Sequence, residues 1–79
     1  MMETVIAINF RSLNDNINYP MACKKTDIFA NIENKLYKEY PKLKNKKICF
    51  IANGNVVNKY NTFEQNKIKS GDTILINEI

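Results

Sequence analysis

Alternation of large apolar residues with polar or smaller ones predicts two β-strands near the start of the chain. In residues 4–11 every second position carries the larger apolar side chain, which should face a core. A turn-rich cluster at residues 12–16 separates this run from a second alternating run at residues 17–21. We expect the two strands to form a hairpin. Pro20 lacks a backbone donor, so the second strand should lie at a sheet edge or carry a bulge there.

The spacing of apolar residues changes to that of a helix between residues 28 and 40. One stripe, spaced three, four and four residues apart, consists of Phe29, Ile32, Leu36 and Tyr40. Asp27 or Thr26 is expected to cap the start of the helix by accepting a bond from an unpaired amide. Pro41 is expected to end it, because a residue that precedes proline is disfavoured in the α conformation. The opposite, polar face, which includes Glu33, is predicted to lie in solvent.

Further strands are predicted in the second half of the chain. Residues 48–52 form one strand, and Asn53-Gly54, the strongest short hairpin signal, leads to a short return strand at residues 56–57. Residues 62–69 are predicted to form a short helix or a turn. Residues 73–77 are apolar on both faces, which favours a central position in the sheet. One sheet with one helix across it predicts an α+β fold.

Composition argues against several classes of function. The 79 residues carry a formal net charge of +4 and contain two cysteines and no histidine. Four zinc ligands of the usual kinds cannot be assembled, and neither glycine lies in a phosphate-binding loop, so no cofactor or metal is expected. Cys23 and Cys49 are expected to be free thiols in a reducing compartment. No apolar run approaches the about 18 residues of a membrane span. We therefore expect one domain, residues 1–79, in the cytoplasm and/or nucleus, monomeric and without a membrane partner.

Catalysis and nucleic-acid binding are both weakly supported by the sequence. A cysteine nucleophile lacks the usual histidine base, and the carboxylates, Asp15 among them, are scattered over separate elements, so no enzyme is expected. The densest basic stretch, residues 42–47, is interpreted as a solvated loop. Lysine-driven binding of nucleic acid is kept as the lesser alternative, since stacking readers need aromatic residues among the bases on an open face.

The order strand, strand, helix, strand, short strand, strand is that of the β-grasp, and the local segments resemble ubiquitin over roughly Ile6 to Asn77. The segment 48–54 resembles the strand and glycine turn of that family. The segment 62–68 is similar to the one that precedes the last strand, and 71–76 is similar to a common ubiquitin-like ending. The resemblance implies a ubiquitin-like β-grasp, with a mixed sheet of four to five strands and one helix packed across it.

The resemblance also implies a protein-binding face. In ubiquitin an apolar patch on the outer face of the sheet is used by most receptors. Matched by position, that patch and its expected rim fall on Leu13, Ile51, Leu75 and Asn77, with Arg11 and Cys49 beside them. Leu75 stands where the family has a histidine, and Asn77 stands where it has a valine. The alternative is that the three apolar residues are scattered over the surface, which is common.

Two departures from the family bear on its function. Conjugated members end in a flexible basic tail that finishes in Gly-Gly, whereas this sequence finishes in Asn77-Glu78-Ile79, and the two lysines most used for chain linkage fall near Asn55 and Ser70. The resemblance thus implies a non-conjugated interaction module whose partners are ubiquitin-receptor or proteasome-type domains. The alternative is a regulatory appendage that acts on an attached enzyme of the same chain.

Overall fold

The computed structural model describes residues 5–14 and 16–79. Thr4, where the first predicted strand begins, and Asp15, in the predicted turn, lie outside the described residues. The elements are β1 (Val5–Ser12), β2 (Ile17–Lys24), α1 (Phe29–Glu39), a 3-10 turn (Pro41–Asn45), β3 (Ile48–Ala52), β4 (Asn55–Val56) and β5 (Thr73–Glu78). Within the predicted segment 62–69, residues 63–67 form turns, and Thr62 forms an isolated bridge with Ile28. The predicted order of elements is confirmed.

The five strands form one mixed sheet in the order β2-β1-β5-β3-β4. Strands β1 and β5 run parallel, and the other neighbours are antiparallel. Strand β2 lies at an edge, as predicted from Pro20, which sits opposite Asn9. Strand β5 is central, as its apolar sequence predicts. Only one of its faces is buried, however: Ile74 and Ile76 point into the core, while Leu75 is 45% exposed.

The core lies between the sheet and α1 and is centred on phenylalanine. Phe10, Phe29, Phe50 and Phe63 are all essentially inaccessible to solvent. The Phe29 ring lies 5.0 Å from that of Phe50 and 5.1 Å from that of Phe63, and the Phe10 ring lies 5.8 Å from that of Phe50. Each buried aromatic side chain stabilises the fold by about 2–3 kcal/mol. The helix stripe and the alternating strands therefore meet in a single aromatic cluster.

The start of α1 is capped by backbone rather than by a side chain. Ile28 occupies the cap position, and Phe29 N and Ala30 N donate to the carbonyls of Asn61 and Lys59 at 3.0 and 2.9 Å. The predicted cap by Asp27 or Thr26 is wrong. The Asp27 carboxylate instead accepts a bond from Lys24 N at 2.8 Å. The helix begins at Phe29, two residues beyond Asp27, and the loop that follows β4 supplies the acceptors.

The predicted solvent position of Glu33 is also wrong. Glu33 is only 5% exposed, and its carboxylate accepts a hydrogen bond from the Tyr37 hydroxyl and lies 2.9 Å from Lys59 Nζ. Burial, together with the bond to Glu33, raises the pKa of Tyr37, so its hydroxyl stays protonated and donates. The loop at Lys59 covers this part of the helix, which spacing along the helix alone does not reveal.

Both cysteines are free thiols in the structure; Cys23 is buried and Cys49 is half-buried. Within residues 5–14 and 16–79, no helix has the length and apolar composition that crossing a membrane would require.

Candidate protein-binding face

The outer face of the sheet, turned away from α1, carries a row of side chains that crosses four strands. The pairing places Arg11 beside Leu75, Leu75 opposite Ile51, and Ile51 opposite Val56. Paired residues on neighbouring strands point to the same side of a sheet. The row therefore extends about 14 Å, three interstrand spacings, from a cation on β1 to an apolar side chain on β4. We call these four residues the outer row.

The apolar members of the outer row are accessible to solvent. Val56 is 70% exposed, Leu75 is 45% exposed, and Ile51 is half-buried between them. Leu13, just beyond the end of β1, is 78% exposed and lines a shallow cleft of about 150 Å³ with Leu75, Arg11 and Asn77. The structure thus brings the predicted residues Leu13, Ile51 and Leu75 onto one face, with the predicted Arg11 at its rim.

Asn77 and Cys49 form the next pair along the same two strands. They sit opposite each other, and Asn77 Nδ2 lies 3.8 Å from Cys49 Sγ, within reach of a weak hydrogen bond to sulfur. These two of the three predicted rim residues are therefore adjacent to the outer row, two residues along β5 and β3 from Leu75 and Ile51. The Cys49 thiol faces the same side as Ile51.

Val56 is the member of this face that the sequence analysis missed. Its position follows from the turn at Asn53-Gly54, because a two-residue turn pairs Ala52 with Asn55 and hence Ile51 with Val56. Pairing the residues on either side of the predicted turn would therefore have placed Val56 opposite Ile51. Val56 lengthens the apolar part of the row to the edge of the sheet.

The charged side chains on the outer face of the described strands are all basic. Arg11 and Lys24 face outward on β1 and β2, and no outward-facing position in the described strands holds a carboxylate. Glu78 on β5 has the opposite parity and pairs with Lys46 at 2.9 Å. The part of the face around Asn9, Asn18 and Thr73, which we call the polar half, is polar, with Asn9 donating to Asn18 at 2.7 Å. Val5, farther along β1, is apolar and exposed. The apolar row is thus flanked by amides and cations.

Among the described residues, the acidic side chains beside the start of β1 are bonded to neighbouring groups. No three His, Cys, Asp or Glu side chains in the described part of the chain could hold a metal ion. A cavity of about 700 Å³ beside the start of β1 is lined by Glu64 and Asp72 among others. Glu64 is paired with Lys25 at 3.0 Å. Asp72 accepts bonds from Lys69 N at 2.8 Å and from the Asn53 amide at 3.0 Å, and these bonds lower its pKa.

The aromatic side chains near the basic stretch are engaged with one another. Tyr40 stacks edge-on with Tyr19, their ring centroids 5.6 Å apart, and both pack against the core. Stacking of bases needs open aromatic faces. The arrangement of these two tyrosines offers no such platform.

Comparison with known proteins identifies the fold. No sequence-family model and no curated protein sequence matches the chain. A de novo designed protein based on ubiquitin superposes with a TM-score of 0.78 at 19% identity, covering 94% of this chain and 88% of that protein. The ubiquitin-like domain of Plasmodium falciparum Dsk2 superposes with a TM-score of 0.79 at 10% identity, covering 96% of this chain and all of that domain.

The N-terminal ubiquitin-like domain of the 4931431F19Rik protein superposes with a TM-score of 0.76 at 10% identity, covering 99% of this chain and 78% of that one. Identities of this size carry information on the fold alone. The strand order, the single helix across the sheet and these superpositions establish that the chain has the ubiquitin-like β-grasp fold.

Proposed function

We propose that the chain is a protein-interaction module that presents its outer row, with Leu13, to domains of the ubiquitin-receptor or proteasome type. The observation that carries the proposal is the contiguity of Leu75, Ile51 and Val56 on an exposed sheet face. Scattered apolar residues are normal on a protein surface, but an adjoining set on one face marks an interaction site.

Ile51 is the centre of the proposed interface. It is flanked by Leu75 and Val56 and is the least exposed apolar residue of the row. Residues at the centre of an interface are shielded from water by their neighbours and carry most of the binding energy. A partner side chain that packs on Ile51 would also contact Leu75, while Leu13 and its cleft would take the next apolar side chain along.

The rim favours an acidic partner. Arg11 lies at one end of the outer row, and outward-facing carboxylates are missing from the described strands. Complementary charges at a rim accelerate association and fix orientation more than they add affinity. A small interface of this kind has modest affinity, and its partners would be met in the cytoplasm or nucleus.

A titration of the isotopically labelled chain tests the proposal. Unlabelled ubiquitin-binding helices and proteasomal receptor domains are added, and backbone chemical shifts are followed. We expect the largest changes at Ile51, Leu75 and Val56, and small ones at Asn9 and Asn18 on the polar half. Changes confined to α1 or to the 3-10 turn, or none with any ligand, would remove the outer row as the binding face.

A further inference from the structure

The hairpin that joins β3 to β4 turns on Asn53 and Gly54. Both residues have positive φ, 52° and 80°, the geometry of the two-residue turn that asparagine and glycine favour. Of the thirteen asparagines in the chain, Asn53 alone precedes a glycine. Both turn residues are exposed, and no atom lies within 4 Å of the position that a Cβ would take on Gly54.

The Asn53 amide is held in place by two acceptors. Its Nδ2 donates to Asp72 Oδ2 at 3.0 Å and lies 3.4 Å from the Lys67 carbonyl oxygen. These bonds restrain the Asn53 side chain as long as the turn stays closed. When the turn opens, the unhindered Gly54 nitrogen can approach the Asn53 side-chain carbon.

We propose that Asn53 is a self-modification site, at which the chain converts an asparagine into aspartate and isoaspartate without an enzyme. The Gly54 nitrogen loses its proton to hydroxide and attacks Asn53 Cγ, and a cyclic imide forms as ammonia leaves with the Nδ2 atom. Water then adds to either imide carbonyl and opens the ring. One product is aspartate, and the other is isoaspartate, in which the main chain passes through the former side chain.

The isoaspartate product is incompatible with the hairpin. It adds one main-chain carbon to a two-residue turn, whereas β4 is held to β3 by the pairs Ile51–Val56 and Ala52–Asn55 and by the bond from Val57 N to the Phe50 carbonyl at 2.8 Å. A register set by turn length is lost when the turn lengthens. Val56 therefore leaves the outer row. An effect of this displacement on receptor binding rests on the proposed function, but the modification and the displacement of Val56 do not.

The isoaspartate product has lost the Nδ2 donor to Asp72, because ammonia leaves with that atom, and its free carboxylate is the former main-chain carboxyl. The aspartate product places a carboxylate where the Asn53 amide now meets Asp72. A donor bond is replaced by repulsion between like charges, which raises the pKa of a carboxyl group. The 67–72 loop, which Asp72 anchors through Lys69 N, loses part of its support. The modification thus acts on both sides of the turn.

Peptide mapping by mass spectrometry tests the modification in the intact chain, aged in mildly alkaline buffer and assayed for isoaspartate with an isoaspartyl methyltransferase. We expect Asn53 to lose its amide first, well ahead of Asn55 in the same loop. Asp72→Ala removes one restraint on the Asn53 amide and should accelerate the loss about fivefold, the factor that corresponds to one hydrogen bond of about 1 kcal/mol. Equal rates at Asn53 and Asn55 would overturn the proposal.

Two substitutions separate the parts of the proposal. Asn53→Gln keeps the amide but lengthens the ring that must form, and it should block the reaction. Asn53→Asp adds the charge without lengthening the main chain, so it should perturb Asp72 while the Val56 resonances stay near their original positions. Purified isoaspartate chain should show displaced Val56 resonances, and unchanged ones would overturn the structural consequence. Resonances are measured without a partner, so this outcome is independent of whether the outer row binds a receptor.

Discussion

Lys59 reaches from the loop after β4 to the helix, and its Nζ lies 2.9 Å from the Glu33 carboxylate. The same residue offers its backbone carbonyl to Ala30 N at the start of α1. Its ammonium group also lies 5.9 Å from the centre of the Phe50 ring, within range of a cation–π contact. Lys59 thus joins the loop, the helix and the aromatic core through one side chain and one carbonyl.

Removing the charge of Lys59 should destabilise the fold more than its exposure suggests. In Lys59→Met the Glu33 carboxylate would remain 5% exposed without its cation, which is the costly way to break a buried pair. Because the Lys59 side chain is 39% exposed, we expect a loss of about 1–3 kcal/mol, below the range for fully buried pairs. Urea denaturation measures it.

Lys25→Met is the matched control for this experiment. Lys25 pairs with Glu64 at 3.0 Å, but their side chains are 42% and 59% exposed. An exposed pair contributes about 0–1 kcal/mol. If the two substitutions lower the free energy of unfolding equally, the burial of Glu33 does not increase the contribution of the Lys59 contact to stability.

Local periodicity was enough to predict most of the fold, whereas the errors arose from contacts between distant segments. Alternation and helical spacing depend only on neighbours in sequence, so β1, β2 and α1 could be located without the structure. The burial of Glu33 and the backbone cap at Phe29 both depend on the loop at Lys59, whose path across the helix no local pattern encodes. Propensity was overruled by tertiary structure at both places.

Only part of the candidate face was predicted, because the position of its remaining member, Val56, depends on strand pairing across a turn. Leu13, Ile51 and Leu75 were matched by position to a family patch. The register of β5 against β3 pairs Leu75 with Ile51, and Leu13 shares a shallow cleft with Leu75. Val56 was missed because the family match was made residue by residue, not by pairing across the turn. What binds there depends on the shape of a partner, which the sequence of one chain does not contain.

Truncating the centre of the outer row should weaken receptor binding while the chain stays folded. For Ile51→Ala we expect a loss of about 2 kcal/mol in binding free energy, or roughly 30-fold in affinity, as for a central interface residue. Leu75→Ala should cost less, because it lies off centre. Isothermal titration with a ubiquitin-receptor domain gives the affinities, and urea denaturation verifies the fold.

Thr73→Ala serves as the control because Thr73 faces outward on the same strand, two residues from Leu75, on the polar half. The affinity of the Thr73→Ala variant for the receptor domain should match that of the unmodified chain. Comparable losses for Thr73→Ala and Ile51→Ala would show that binding senses the whole sheet and not the outer row.

Stability at acid pH should depend on Asp72. Its pKa is lowered first by the backbone bond from Lys69 and then by the Asn53 amide, so the ionised form is favoured in the folded state. A lowered folded pKa gives stability that is present above the unfolded pKa of 3.8 and is lost as pH falls through the folded pKa. Asp72→Asn should therefore flatten the acid limb of a plot of unfolding free energy against pH.

Glu64→Gln is the control for the Asp72→Asn experiment. It removes a carboxylate whose partner is an exposed lysine. We expect it to leave the acid limb nearly unchanged, because an exposed pair contributes little. An acid limb that is identical for the unmodified chain and Asp72→Asn would contradict the role of the Asp72 bonds.

Stability at alkaline pH should report the burial of Cys23. Burial, with the nearby Asp27 charge, raises the pKa of Cys23 to about 11 from 9.0, against a smaller opposing effect of Lys35. The folded state holds the thiol proton more tightly, so this stability is complete below pH 9 and falls as pH rises toward 11. The loss is at most about 3 kcal/mol. Cys23→Ala should remove the fall between pH 9 and 10 in alkaline urea denaturation, below the range in which Tyr37 adds a loss of its own, whereas Cys49→Ala should keep it.

The two thiols also provide a footprint of the proposed interface. Cys49 is half-buried on the outer face, and Cys23 is 6% exposed within the core. Iodoacetamide should therefore modify Cys49 in the folded chain and reach Cys23 only when the chain unfolds, since alkylation requires an accessible thiolate. A saturating receptor domain should slow the modification of Cys49, because Cys49 adjoins Ile51 on the same strand. Cys23 is the internal control: its slow reaction reports unfolding and changes only as far as the receptor stabilises the fold. If Cys49 reacts at the same rate with and without a bound receptor, the receptor occupies a different surface.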